Sequence, residues 1–191
     1  GVRLAIALWS ASLPLARTPQ LDSGQYLAWA GWIADGSHAW QQPIIQGPGY
    51  PYFLAGLLWI AGGSLTTVAI FQAVLGAISC SITTALGSRW FGVTAGMAAG
   101  LLQAVHGPLA FVETSLYCEG LLLFLMLLST YVFATRRAST RGVVMSGILI
   151  GAAAIVRATA LAQLAVYIPV LLLESPGWRV RLRRAAAMAI A

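Results

Sequence analysis

The residues through which this chain could do chemistry are Asp22, Glu113, Glu119 and Arg157. Asp22 opens the stretch LDSGQYLAWAGWIADG and, with Gln25 three residues on, forms a capping box whose carboxylate accepts backbone N–H bonds at a helix start. A capping carboxylate stays ionised and can still face a substrate. Glu113 and Glu119 bracket TSLYC in a loop before a very apolar run. Glu113 fits either a solvated position or a site. Glu119 abuts Gly120 and LLLFLMLL, where a carboxylate costs free energy unless it is paired, near water or bound to a cation. Arg157 interrupts AAIVRATAL and carries a similar cost. It reads either as a salt bridge to one of these acids or as an anion site, its guanidinium fork gripping a phosphate or pyrophosphate. His106, a lone imidazole among dispersed carboxylates, has no metal-ligand spacing and reads as a loop or interface residue. Together these groups suggest acid-base or metal-assisted work on a phosphate-bearing lipid.

The elements that must position them are membrane helices. With 59% hydrophobic and 8% charged residues and a mean hydropathy of +0.83, the composition is that of a multi-spanning membrane protein. The net charge is +6 and every positive charge is arginine. The arginines sit in short clusters between apolar runs, a pattern of membrane topology and not of a continuous nucleic-acid-binding face. Cys80 and Cys118 show no CxxC or zinc spacing and read as packing residues.

About six crossings are expected, over 2–16, 65–87, 92–105, 120–134, 143–156 and 158–173. Several are short: roughly 15 helical residues cover about 22 Å of a ~30 Å hydrocarbon core. A break at Arg157, making 143–173 two crossings, puts Arg136, Arg137 and Arg141 on the same inner side as Arg179, Arg181, Arg183 and Arg184. Arg89 and Arg3 then also fall inside, with Arg17 and Arg157 elsewhere. Asp22, Asp35, Glu113 and Glu119 land outside, and Glu174 inside. The whole chain, 1–191, reads as one partial transmembrane domain. It opens within one apolar run and stops as AAAMAIA begins, and no cleavable signal peptide is visible.

Residues 17–63 form a long first outer loop with juxtamembrane helices. A helix from about Ser23 to Ala34 gathers Tyr26, Trp29 and Ile33 on one face at headgroup depth, and Asp35-Gly36 ends it as a turn. QGPGYPYFLAGLLWIAGG then reads as a proline turn into a second interfacial or re-entrant helix.

In this order the motifs resemble the N-terminal half of the membrane module of GT-C glycosyltransferases, of the family 39 type related to protein O-mannosyltransferases and lipid A aminoarabinose transferases. The resemblance is carried by LDSGQYLAWAGWIADG, GPGYPYFLAGLLWIAGGSLTTVAIFQAVLGAISCSITTALGSRWFG, FVETSLYCEGLLLFLMLLSTYVF and GILIGAAAIVRATALAQLAVYIPVLLL. QGPGYP, with Gln46 and Tyr50, departs from the His-Pro-Pro version of some relatives. The resemblance implies an all-α polytopic bundle that transfers a sugar from a polyprenyl-phosphate donor to a lipid, glycan or protein hydroxyl, with inversion. The implied setting is the outer face of a bacterial inner membrane. Asp22 matches the catalytic base, and Glu119 and Arg157 match residues near the donor phosphate or a bound metal. Glu113, Tyr26 and Tyr50 are carried as further substrate contacts. A divalent cation is an open cofactor candidate, with Glu119, Glu113 and His106 as its candidate ligands. The fragment alone is expected to be inactive.

Two other classes compete. A transporter or flippase-like protein would line an anionic substrate path with Arg157 and the outer acids, but the chain lacks the internal repeat such folds often carry. A non-catalytic scaffold would tolerate neutral substitution at Asp22 and Arg157.

Overall fold

A computed structural model describes residues 2–11, 22–36, 47–174 and 178–191, and every regular element among them is helical. Arg17 and Gln46 lie outside the described residues. The helices are α1 (Val2–Ala11), α2 (Asp22–Ala34), α3 (Gly49–Ile60), α4 (Leu65–Phe91), α5 (Val93–Val105), α6 (Gly107–Thr114), α7 (Glu119–Arg136) and α8 (Thr140–Val156). A 3₁₀ segment (Ala158–Gln163) leads into α9 (Leu164–Glu174), and α10 (Trp178–Ile190) follows.

Two of the described helices, α4 and α7, are long and apolar enough to cross a membrane, and α5 with α6, bent by 54° at the break between them, makes a third candidate. Three of the described helix starts have a side-chain cap. Ser64 caps α4, its Oγ accepting from the Thr67 N–H, and Ser139 caps α8 through the Gly142 N–H. His106 caps α6 by accepting the Leu109 N–H at its Nδ1, with Pro108 in the first turn. Glu113 is therefore on a helix and not in the loop expected for it, because His-Gly-Pro is a helix start as well as a break.

The bundle packs through small and hydroxylated residues. A Cβ on Gly96 would run into the backbone of α4 at Thr84 and Ser88, so α4 and α5 cross with their backbones close together. Ser129 of α7 donates to the Ser146 carbonyl of α8 at 3.1 Å, both residues fully buried. The 3₁₀ segment and α9 return alongside α7: Gln163 Nε2 donates to the Met126 carbonyl, Tyr167 Oη hydrogen-bonds Thr130 Oγ1, and the Tyr167 ring stacks on Phe133 at 4.1 Å. The break that creates this hairpin falls at Arg157, whose backbone is extended (φ −156°, ψ 120°).

Charge segregates to the two ends. Arg89 and Arg136 close α4 and α7, whose last turns pack together through Leu86 and Ala134. Arg141 begins α8, and Arg184 donates to the Ala138 carbonyl at that same end. Glu119 and Arg157 stand at the opposite end. Arg3 departs from the expected inner cluster. It is buried within the bundle and ion-paired with Glu113, because a carboxylate was available inside the fold and pairing relieves the cost of burial better than reaching an interface.

A second correction concerns α2. Tyr26 is buried, and the half-buried Trp29 and Ile33 pack on a protein core with Tyr50, Leu54 and Leu57, so this face meets α3. The apolar face of α3 offers it a covalently tethered partner. Asp35 and Gly36 end α2 as a turn, with Gly36 at φ 65°.

Candidate active site

The candidate site lies where Tyr26 of α2 meets Cys118 before α7 and where Glu119 at the start of α7 meets Arg157 after α8. Asp22 lies in the first turn of α2 and is exposed. One turn further, Tyr26 reaches across to α7, its hydroxyl 3.4 Å from Cys118 Sγ. Burial, then Cys118, Glu119 and Asp22, push the Tyr26 hydroxyl well above its ordinary pKa. It therefore stays protonated and donates. Burial likewise raises the Cys118 thiol.

Next to Cys118, Glu119 Oε1 accepts from Arg157 Nη1 at 2.6 Å. The two side chains are 40% and 52% exposed, so the pair is reachable from outside the bundle. Glu119 stands in the first turn of α7, where the helix dipole favours a carboxylate. Glu119 Oε2 is buried without a hydrogen-bond partner. One guanidinium edge is engaged by Glu119, which leaves donors for an anion.

The Gly-Pro-Gly turn sets the position of Arg157. A Cβ on Gly47 would collide with the Val156 carbonyl, and one on Gly49 would lie 2.9 Å from the Val156 nitrogen. Glycine at both positions lets this turn lie directly on the last residues of α8. Gly49→Ala should therefore overpack the junction by about 1–3 kcal/mol. A lowered thermal midpoint of the detergent-solubilised protein would register it.

Tyr50 is fully buried beneath Tyr26, ring centroids 4.8 Å apart, and its hydroxyl accepts from Gln72 Nε2 at 2.7 Å. Tyr50→Phe should cost about 1–3 kcal/mol by leaving buried Gln72 without that partner. Thermal denaturation of Tyr50→Phe beside Tyr50→Phe/Gln72→Met checks this, with recovery expected in the double variant.

Asp22, Tyr26, Glu119 and Arg157 thus share one end of the bundle, with Tyr50 supporting them from below. Glu113 and His106 do not join them: Glu113 faces Arg3, and His106 caps α6. Among the described residues no three His, Cys, Asp or Glu side chains come together to hold a metal ion. Of the candidate cation ligands, Glu119 stands at the candidate site, whereas Glu113 and His106 are engaged elsewhere. Cys118 was missed as part of this arrangement, since a cysteine without ligand spacing carries no sequence signal.

An all-α bundle with apolar spanning helices and paired charges at one end defines an integral membrane protein with a polar site at the mouth of its helices. Over residues 42–191 the chain matches the family described as dolichyl-phosphate-mannose-protein mannosyltransferase, and it belongs to that family: a membrane glycosyltransferase of the mannosyltransferase type. No curated protein and no solved structure matches it. The matched region includes Glu119 and Arg157 and begins after Asp22.

Proposed function

We propose that the protein transfers a sugar from a polyprenyl-phosphate donor to an acceptor hydroxyl on the outer face of the membrane, with inversion. The observation that carries this is the exposed Glu119–Arg157 pair at the end of the bundle remote from the arginine cluster, with Asp22 one turn before Tyr26, whose hydroxyl meets Cys118 next to Glu119. The positive-inside rule makes the arginine-rich end cytoplasmic, so the pair faces outward.

In this mechanism Arg157 binds the donor phosphate, and Glu119 holds the guanidinium in place. The acceptor oxygen attacks the anomeric carbon as the carbon–oxygen bond to phosphate breaks. The bonding electron pair leaves on the polyprenyl phosphate, whose growing charge Arg157 stabilises. The acceptor proton passes to the Asp22 carboxylate, a weak base sufficient for a proton lost only as the new bond forms.

The test is a transfer assay with the full-length protein in vesicles, using labelled mannose on polyprenyl phosphate and, separately, on a nucleoside diphosphate. Transfer from the lipid-linked donor alone, to a product of inverted anomeric configuration, is expected. Transfer from the nucleotide donor alone, or with retained configuration, would overturn the mechanism.

A further inference from the structure

Arg3 and Glu113 carry charge where the bundle is least suited to it. Arg3 Nη1 donates to Glu113 Oε2 at 2.9 Å, with the side chains only 4% and 2% exposed. The other terminal nitrogen of Arg3 donates to the Gln103 carbonyl at the end of α5. The pair is enclosed by glycines. A Cβ on Gly76 of α4 would strike the Glu113 carboxylate, and one on Gly120 of α7 would lie 3.1 Å from Glu113 Cγ. One ion pair therefore locks α1, α4, α5 and α6 against the first turn of α7. A buried pair of this kind gains little over apolar packing of equal volume, and its best-attested use is to fix register.

The register in question belongs to the chain between Glu113 and Glu119. There Leu116 adopts a left-handed conformation, φ 60°, the single positive φ at a non-glycine position among the described residues. Its side chain is buried in the cluster that holds Tyr26, Tyr50 and Cys118. A branched side chain keeps such a conformation only where its surroundings over-determine it.

We propose that Arg3 and Glu113 are positioning residues: by clamping the end of α6 they hold the Leu116 turn in its left-handed form, which sets Cys118 against Tyr26 and Glu119 against Arg157. The pair lies behind the site and touches neither donor nor acceptor. Its consequence for transfer rests on the catalytic roles proposed above, whereas its hold on the turn rests on geometry alone.

Cys118, 3% exposed, reports on the turn directly. In the full-length protein, maleimide labelling of Cys118 is followed by peptide mass, which distinguishes it from Cys80, with the thermal midpoint recorded on the same samples. Glu113→Gln and the neutral pair Arg3→Met/Glu113→Gln, which leaves no lone buried charge, should each label about tenfold faster at temperatures where the fold persists, the scale set by the strain of one left-handed residue. Unchanged labelling in the folded neutral pair would overturn the proposal.

A transfer assay supplies a second arm. The loss caused by Glu113→Gln should largely vanish when Glu119 is already Gln, since positioning acts through Glu119. Full additivity of the two losses would contradict that route. Wild-type transfer by Glu119→Gln alone would instead count against the catalytic role of the Glu119–Arg157 pair, and the labelling result would still decide the hold on the turn.

Discussion

Asp22→Asn is expected to lower kcat by about 10²–10⁴-fold, the range for losing a positioned general base. The substitution is nearly isosteric, and asparagine is as well suited as aspartate to a helix start, so α2 should begin where it does now. Tyr26, Trp29 and Ile33 would still anchor α2 on α3. The amide cannot accept the acceptor's proton, so the loss should appear in turnover while KM for the donor stays near its wild-type value. Steady-state transfer by the inserted variant, with donor and acceptor varied separately, measures both. Turnover at the wild-type level would remove Asp22 from the mechanism.

Arg157→Met should lower kcat/KM for the donor by about 10²–10³-fold, the scale for removing one donor to the charge that develops in a transition state. Methionine retains much of the apolar stem but leaves Glu119 without the cation 2.6 Å away, so the site's remaining charge would repel the phosphate. Arg157→Lys should recover part of the loss, since an ammonium supplies the charge but not the planar fork that can hold Glu119 and an anion together. A donor titration of the three proteins at fixed acceptor measures the series. Equal kcat/KM in all three would leave Arg157 as a purely structural partner of Glu119.

How far the sequence discloses this architecture depends on how local the cause is. The break at Arg157 is legible because charge balance along the chain demands it, and the backbone is extended there. The α2 helix and the Gly-Pro-Gly turn are legible from spacing and from proline and glycine, which act within a few residues. The pairing of Arg3 with Glu113 joins residues 110 apart, and counting arginines per side places the charge without revealing its partner. The inward face of α2 was misread for a related reason: an aromatic stripe looks alike whether lipid or a neighbouring helix covers it. The left-handed Leu116 leaves no trace in composition, because the surrounding fold imposes that conformation.

The central claim is that Asp22 and the Glu119–Arg157 pair divide one site between proton transfer and phosphate binding. Equilibrium binding of a labelled polyprenyl-phosphate sugar to the wild type, Asp22→Asn and Arg157→Met tests that division without turnover. Asp22→Asn should bind as the wild type does, and Arg157→Met about tenfold or more weakly, as expected for a lost charge-assisted hydrogen bond. Undiminished binding by Arg157→Met, or an equal loss in both variants, would contradict it.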